Sequence, residues 1–98
     1  MAKQIVWNKK ALNKLDEILE YLEKEHSETV ASTFAKKLFD RLDILSRYPG
    51  IGRKSQKKTS ILFYKIDKNR NIYYRINSKK LIVVYIFDTR QNPDKNPY

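Results

Sequence analysis

Side chains able to do acid–base or nucleophilic work are few in this sequence, and nearly all are Lys, Arg or Tyr. There is no cysteine and one histidine, His26. Thiolate chemistry, a disulfide framework and a multi-histidine metal site within one chain are therefore excluded, and His26 has no cysteine to activate. Lys65, Tyr73 and Arg75 have the makings of a nucleic-acid surface, because aromatic faces stack on bases while cations hold phosphates. The stretch from Arg53 to Lys58 holds Arg53, Lys54, Lys57 and Lys58 and no acid. It reads as a partner-binding patch or as a solvated loop. Arg90 has a planar fork that suits phosphate and carboxylate equally, and pairing with Asp88 is its plain structural alternative. RNA cleavage by 2′-hydroxyl attack needs a base, an acid and a charge stabiliser. Lys, Arg and Tyr supply these only with shifted pKa values, which a sequence does not report.

The elements that must position these residues follow from periodicity. Gln4–Trp7 is a short apolar stretch of β-formers, a first strand, with Trp7 as a core anchor. Asn8 is placed to cap a helix over 9–25, in which Leu12, Leu15, Ile18, Leu19 and Leu22 form one apolar stripe. Ser27 caps a second helix over 28–47, striped by Val30, Phe34, Leu38, Leu42 and Leu45. So short a connection makes the two an antiparallel hairpin. Pro49, Gly50 and Gly52 end the second helix. Ser60–Asp67 alternates with Leu62, Tyr64 and Ile66 on one face. Asn71–Asn77 alternates with Ile72, Tyr74 and Ile76 inward and Tyr73 and Arg75 outward. Leu81–Phe87 is continuously apolar, as a central strand covered on both faces would be. Residues 89–98 read as an irregular tail. The expected architecture is α+β in one domain spanning 1–98: an N-terminal strand and a helical hairpin packed on a C-terminal antiparallel sheet. The other sheet face, with Lys65, Tyr73 and Arg75, is left for solvent or a ligand.

The charge is divided sharply between these parts. Residues 1–46 carry eight Lys/Arg and eight Asp/Glu, whereas residues 47–98 carry thirteen Lys/Arg against Asp67, Asp88 and Asp94, so the whole net charge of +10 lies in the second half. A balanced helical half reads as scaffold, and a basic half as the part that faces something acidic, either nucleic acid or an acidic protein. No aromatic–glycine signature of an RNA-recognition fold and no helix-turn-helix is recognisable. No apolar run is long enough to span a membrane, and no leader with an apolar core is visible, so a reducing cytoplasm is the expected compartment.

The order of elements resembles the RelE/ParE superfamily of bacterial type II toxin–antitoxin toxins. Val6-Trp7-Asn8-Lys9-Lys10-Ala11 resembles the family's strand-into-helix opening. Leu45 through Arg53 resembles its Leu-x-x-x-Pro-x-x-Gly-Arg connector. Ile72-Tyr73-Tyr74-Arg75-Ile76 resembles its Tyr-Arg strand, and Phe87 through Pro93 its final strand end. The resemblance covers nearly the whole chain. It implies a growth-inhibiting toxin of the plasmid-stabilisation type, with no metal or organic cofactor and a cognate antitoxin as partner. A homodimer is compatible with it. Two targets are implied by the two branches: DNA gyrase for ParE-like members, and mRNA in the ribosomal A site for RelE-like nucleases. By resemblance Lys65 stands at one catalytic basic position, Arg90 at the C-terminal arginine, and Tyr98 near a terminal tyrosine. Asp67 and Asn71 occupy two positions where the nucleases carry basic residues. The nuclease set is thus incomplete, and the long hairpin is more ParE-like. The residues expected to bind target or antitoxin are Arg53, Lys54, Lys57, Lys58, Arg70, Arg75 and Arg90.

Overall fold

A computed structural model describes residues 2–98. Both helices form where the periodicity puts them. Asn8 Oδ1 accepts from the Ala11 N–H at 2.8 Å and opens α1, Lys9–Glu25. Ser27 Oγ accepts from the Val30 N–H at 3.1 Å and opens α2, Glu28–Arg47. Each cap satisfies one amide donor that the first turn would otherwise leave unpaired. Pro49–Ile51 is a single 3-10 turn that ends the hairpin.

Among the described residues the sheet has five strands: β1 (Gln4–Trp7), β2 (Arg53–Lys54), β3 (Leu62–Lys65), β4 (Arg70–Ile76) and β5 (Lys80–Asp88). Their order is β1-β5-β4-β3-β2. β3, β4 and β5 pair antiparallel, as the alternation indicated, and β2 adds antiparallel to β3. β1 adds to β5 in parallel, from Gln4 opposite Lys80 to Trp7 opposite Val83, and makes the sheet mixed. The stretch read as a loop from Arg53 begins as β2, with Arg53 opposite Phe63 and Lys54 opposite Leu62.

The hairpin lies on one sheet face. Leu15, Ile18, Leu22, Phe34, Leu38, Leu42 and Leu45 meet Ile66, Ile72, Tyr74, Leu81, Val83 and Ile86 in the main core. Two stripe residues are corrected. Leu12 and Val30 are 45% and 41% exposed, each about a quarter-turn from the centre of its stripe. Ala11 and Ala31 are buried instead. Ile76, expected inward, is exposed at the end of β4.

The larger correction concerns the opposite face. A second buried cluster lies there, of Ile61, Tyr73, Val84 and Phe87, with Phe63, Ile82, Tyr85 and Tyr98 packed against it. A register shift beside Tyr73 and Tyr74 leaves Val84 as an extra residue between the partners Val83 and Tyr85. This bulge shifts the alternation of β5 by one residue. Leu81, Val83 and Ile86 therefore face the helices, while Ile82, Tyr85 and Phe87 face the other way. That is why the strand is apolar throughout. The cover on this face is residues 89–98, which carry a 3-10 turn at Pro93–Lys95 and fold back over the sheet. Tyr73, expected to be open, is consequently 7% exposed. Among the described residues no helix is long and apolar enough to cross a membrane.

Candidate functional site

The expected site residues divide into three environments. Arg53 and Lys54 are exposed on β2, the two-residue edge strand, and Lys65 is exposed at the end of β3. Arg53, Lys65 and Lys68 line one cavity of about 440 Å³ with Phe63 and Asn71. A corner buried beneath them positions this edge. Tyr74 Oη donates to Pro49 O at 2.7 Å and accepts from the Gly52 N–H at 3.2 Å. Burial pushes the Tyr74 phenol above its ordinary pKa, the Gly52 amide opposes that, and nearby Tyr64 adds to it. The neutral hydroxyl thus holds the turn that leads into Arg53.

The second environment joins the basic loop to the tail. Lys57 Nζ donates to Pro93 O at 2.9 Å and also to Asn96 O, and Ser55 Oγ donates to Tyr98 O. Asn96 is buried and its amide donates to Tyr73 Oη at 3.0 Å. The Tyr98 ring lies 6.5 Å from Tyr73 and 5.8 Å from Tyr85, centre to centre. Lys58 Nζ sits 5.0 Å and Lys10 Nζ 5.4 Å from its centre. Tyr98 and Lys57 therefore tie the loop to the sheet, and a cavity of about 420 Å³ opens between Arg53, Lys54 and Lys57 on one side and Pro93 and Tyr98 on the other.

The third environment is at the far end of β4 and β5. Arg90 grips Asp88 through Nε at 3.0 Å and an Nη at 2.6 Å, while its backbone N–H also reaches the same carboxylate. These contacts hold the Asp88 carboxyl below its usual range, and the carboxylate in turn raises the Arg90 guanidinium further. Arg70 is 8% exposed. It lies between Asp67 at 3.8 Å and Asp88 at 4.0 Å, with its guanidinium 5.2 Å from the centre of the Phe34 ring. Asp67 also accepts from the N–H groups of Asn69 and Arg70 at 2.9 Å each, so it shapes the β3–β4 turn. Arg75 is exposed on β4.

Among the described residues Lys65, Arg90 and Tyr98 line different cavities, of which those of Lys65 and Tyr98 adjoin through Arg53, Phe63 and Thr89. Residues that the sequence did not single out include Asn96 of the tail, Lys10, Ser55 and Tyr85, which contact Tyr98, and Lys14, which joins through Tyr85. Only Lys10 gave any signal. It is a cation in the first turn of a helix, where an acid suits the dipole better.

A strand, a helical hairpin and four further strands that close a five-stranded sheet, in this order, define the fold of the RelE/ParE superfamily of toxins. The chromosomal ParDE system of P. aeruginosa superposes with a TM-score of 0.76 at 17% identity, over 89% of this chain and 96% of that chain. The DinJ–YafQ toxin–antitoxin complex of E. coli gives 0.64 at 10% identity, over 92% and 96%. The YoeB dimer of Staphylococcus aureus gives 0.62 at 16%, over 87% and 94%. In sequence, the protein Y4kP of Sinorhizobium fredii, classed provisionally as a toxin, is 32% identical over 91 residues, covering 93% of this chain and 94% of that protein. The model of the family described as the ParE toxin of the type II toxin–antitoxin system parDE matches residues 5–93, and this chain belongs to that family.

Proposed function

We propose that this toxin inhibits growth by binding an essential target, DNA gyrase, and not by cutting RNA. One observation carries the choice. General acid–base cleavage requires its groups within hydrogen-bond reach of one reacting phosphate. Lys65 and Tyr98 line two adjoining cavities that share Arg53, Phe63 and Thr89, Arg90 lines a third, and the Arg90 guanidinium is already engaged by Asp88. Ribosome-dependent mRNA cleavage is the second reading, favoured by Arg53, Lys65 and Lys68 around a single cavity. The exposed cations Arg53, Lys54, Lys57, Lys58, Arg75 and Arg90 contact the target or the antitoxin, and Arg70 supports them from within.

The cognate antitoxin follows from the same surface. β2 covers only Leu62 and Phe63 of β3, so the edge at Tyr64 and Lys65 stays open beside Arg53 and Lys68. An acidic segment that folds on binding complements such an edge, and charge steers it there. The ParDE and DinJ–YafQ structures describe toxin–antitoxin systems of this fold, which supports the reading.

The test uses purified protein in two parallel reactions, one with gyrase and supercoiled plasmid, one with programmed ribosomes. Loss of gyrase activity with intact mRNA is expected. Codon-position cleavage of mRNA with gyrase unaffected would overturn the choice.

A further inference from the structure

We infer that the surface built by the start of α1, the loop before β3 and the tail docks the phosphate backbone of duplex DNA. Lys10 and Lys14 come from α1 and Lys58 from the loop, and they converge on two adjoining tyrosine rings. Lys10 Nζ lies 5.3 Å from the centre of Tyr85 and 5.4 Å from that of Tyr98. Lys14 Nζ lies 5.8 Å from Tyr85, and Lys58 Nζ 5.0 Å from Tyr98. Residues 1–15 and 44–66, which supply these lysines, contain no Asp or Glu. Among the described residues, the one ion pair made by the three joins Lys14 to Glu17 at 3.6 Å. The Glu17 side chain is 70% exposed, which makes it a weak neutraliser. Lys10 moreover opposes the positive end of the α1 dipole, with no acid in that turn. Helix stability alone does not explain that placement, and local rules of this kind are commonly broken where function demands it.

Duplex DNA fits this surface better than the alternatives. Tyr98 packs on Tyr73 and Tyr85 and also lies beneath two ammonium groups. An unpaired base would find little free aromatic face to stack on, and stacking is the usual means of holding single-stranded RNA. A duplex keeps its base faces stacked inside and presents its phosphates outermost. Lysine ammonium groups are compact point charges that suit phosphates without the fork geometry by which arginine engages carboxylates. The inference rests on this surface and does not depend on gyrase being the target.

Anisotropy of a short fluorescent duplex, followed through a salt series with the protein alone, tests it. The slope of log K against log salt should flatten by about 0.9 for each phosphate that is no longer neutralised. Lys10→Gln/Lys14→Gln/Lys58→Gln is thus expected to be shallower by roughly 2 to 3, and the corresponding Lys→Arg triple to match the wild type. Lys24→Gln/Lys36→Gln/Lys37→Gln removes the same charge from exposed hairpin positions and should leave the slope near the wild-type value. Circular dichroism checks folding, and the single Lys10→Gln and Lys58→Gln changes replace the triple if it unfolds. Equal flattening by both Gln triples overturns the inference, as does preference for single-stranded RNA or absence of duplex binding at low salt. No gyrase is used, so failure here is distinct from failure of the target reading.

Discussion

Gly52 is required for space, not for backbone freedom. Its φ of −69° and ψ of 163° are open to any residue. A Cβ there would run into Tyr74 Oη and lie 2.9 Å from Phe63 O. Tyr74 is 0% exposed and its hydroxyl is held by Pro49 O and the Gly52 N–H, so it has nowhere to retreat. Gly52→Ala is therefore expected to destabilise by about 1.5–4.5 kcal/mol, combining roughly 1–3 for overpacking with about 0.5–1.5 for a damaged hydrogen bond. Tyr74→Phe leaves the Pro49 carbonyl and the Gly52 amide without their partner, at about 1–3 kcal/mol. In the double variant the loss of the hydroxyl removes the severest clash, leaving Phe63 O at 2.9 Å and the ring carbon at 3.0 Å from the new methyl. The combined loss should fall short of additivity by about 1 kcal/mol or more, where independent sites add within roughly 0.3–0.5. Urea unfolding followed by the fluorescence of Trp7, the sole tryptophan, measures all three. Additive losses, or a Gly52→Ala protein as stable as wild type, would refute the steric account of this corner.

Leu38→Ala should destabilise by about 2–5 kcal/mol, because Leu38 is 0% exposed at the centre of the hairpin core; the same unfolding titration checks it. The raised Tyr74 pKa predicts an alkaline limb. Stability is retained below pH about 10, the ordinary phenol value, and falls as pH climbs from there toward the folded-state pKa; the limb should be smaller in Tyr74→Phe. The lowered Asp88 pKa has the opposite sign. Its contribution is present above the ordinary carboxylate value and is lost as pH drops through the folded-state value, so Asp88→Asn should show a flatter acid limb. Arg90→Ala should reduce toxicity in a growth assay while the protein remains folded, and unchanged toxicity would assign Arg90 to the scaffold. Association with a cognate antitoxin should slow markedly between low and about 0.15 M salt, where screening shortens to about 8 Å, and a stopped-flow rate indifferent to salt would remove the steering.

Part of the candidate site was legible in the strand alternation itself. Arg70 shares its parity with Ile72 and Tyr74, so a strand that buries those two must turn Arg70 toward the helices as well. The expectation that it binds a partner came from its charge, and the structure places it under Phe34 between Asp67 and Asp88. Asp88 two residues before Arg90 is likewise a local pattern, and the pair forms as written.

Sequence alone determined the hairpin, its caps and the antiparallel run of strands, because each depends on neighbours within a few residues: 3.6-residue stripes, Asn8 and Ser27 at helix starts, and two-residue alternation between turns. The split between a neutral and a basic half was fixed in the same way. Tertiary structure alone decided that β1 joins β5 in parallel, that Val84 is bulged, and that the tail covers Tyr73. It also decided that Lys10 and Lys58 share the ring of Tyr98, and that Lys65, Arg90 and Tyr98 stand apart. The bulge depends on partners 9 to 12 residues apart, and the rest on segments tens of residues distant. Local propensity carries no term for such pairings, and only the closing of the whole sheet selects among them.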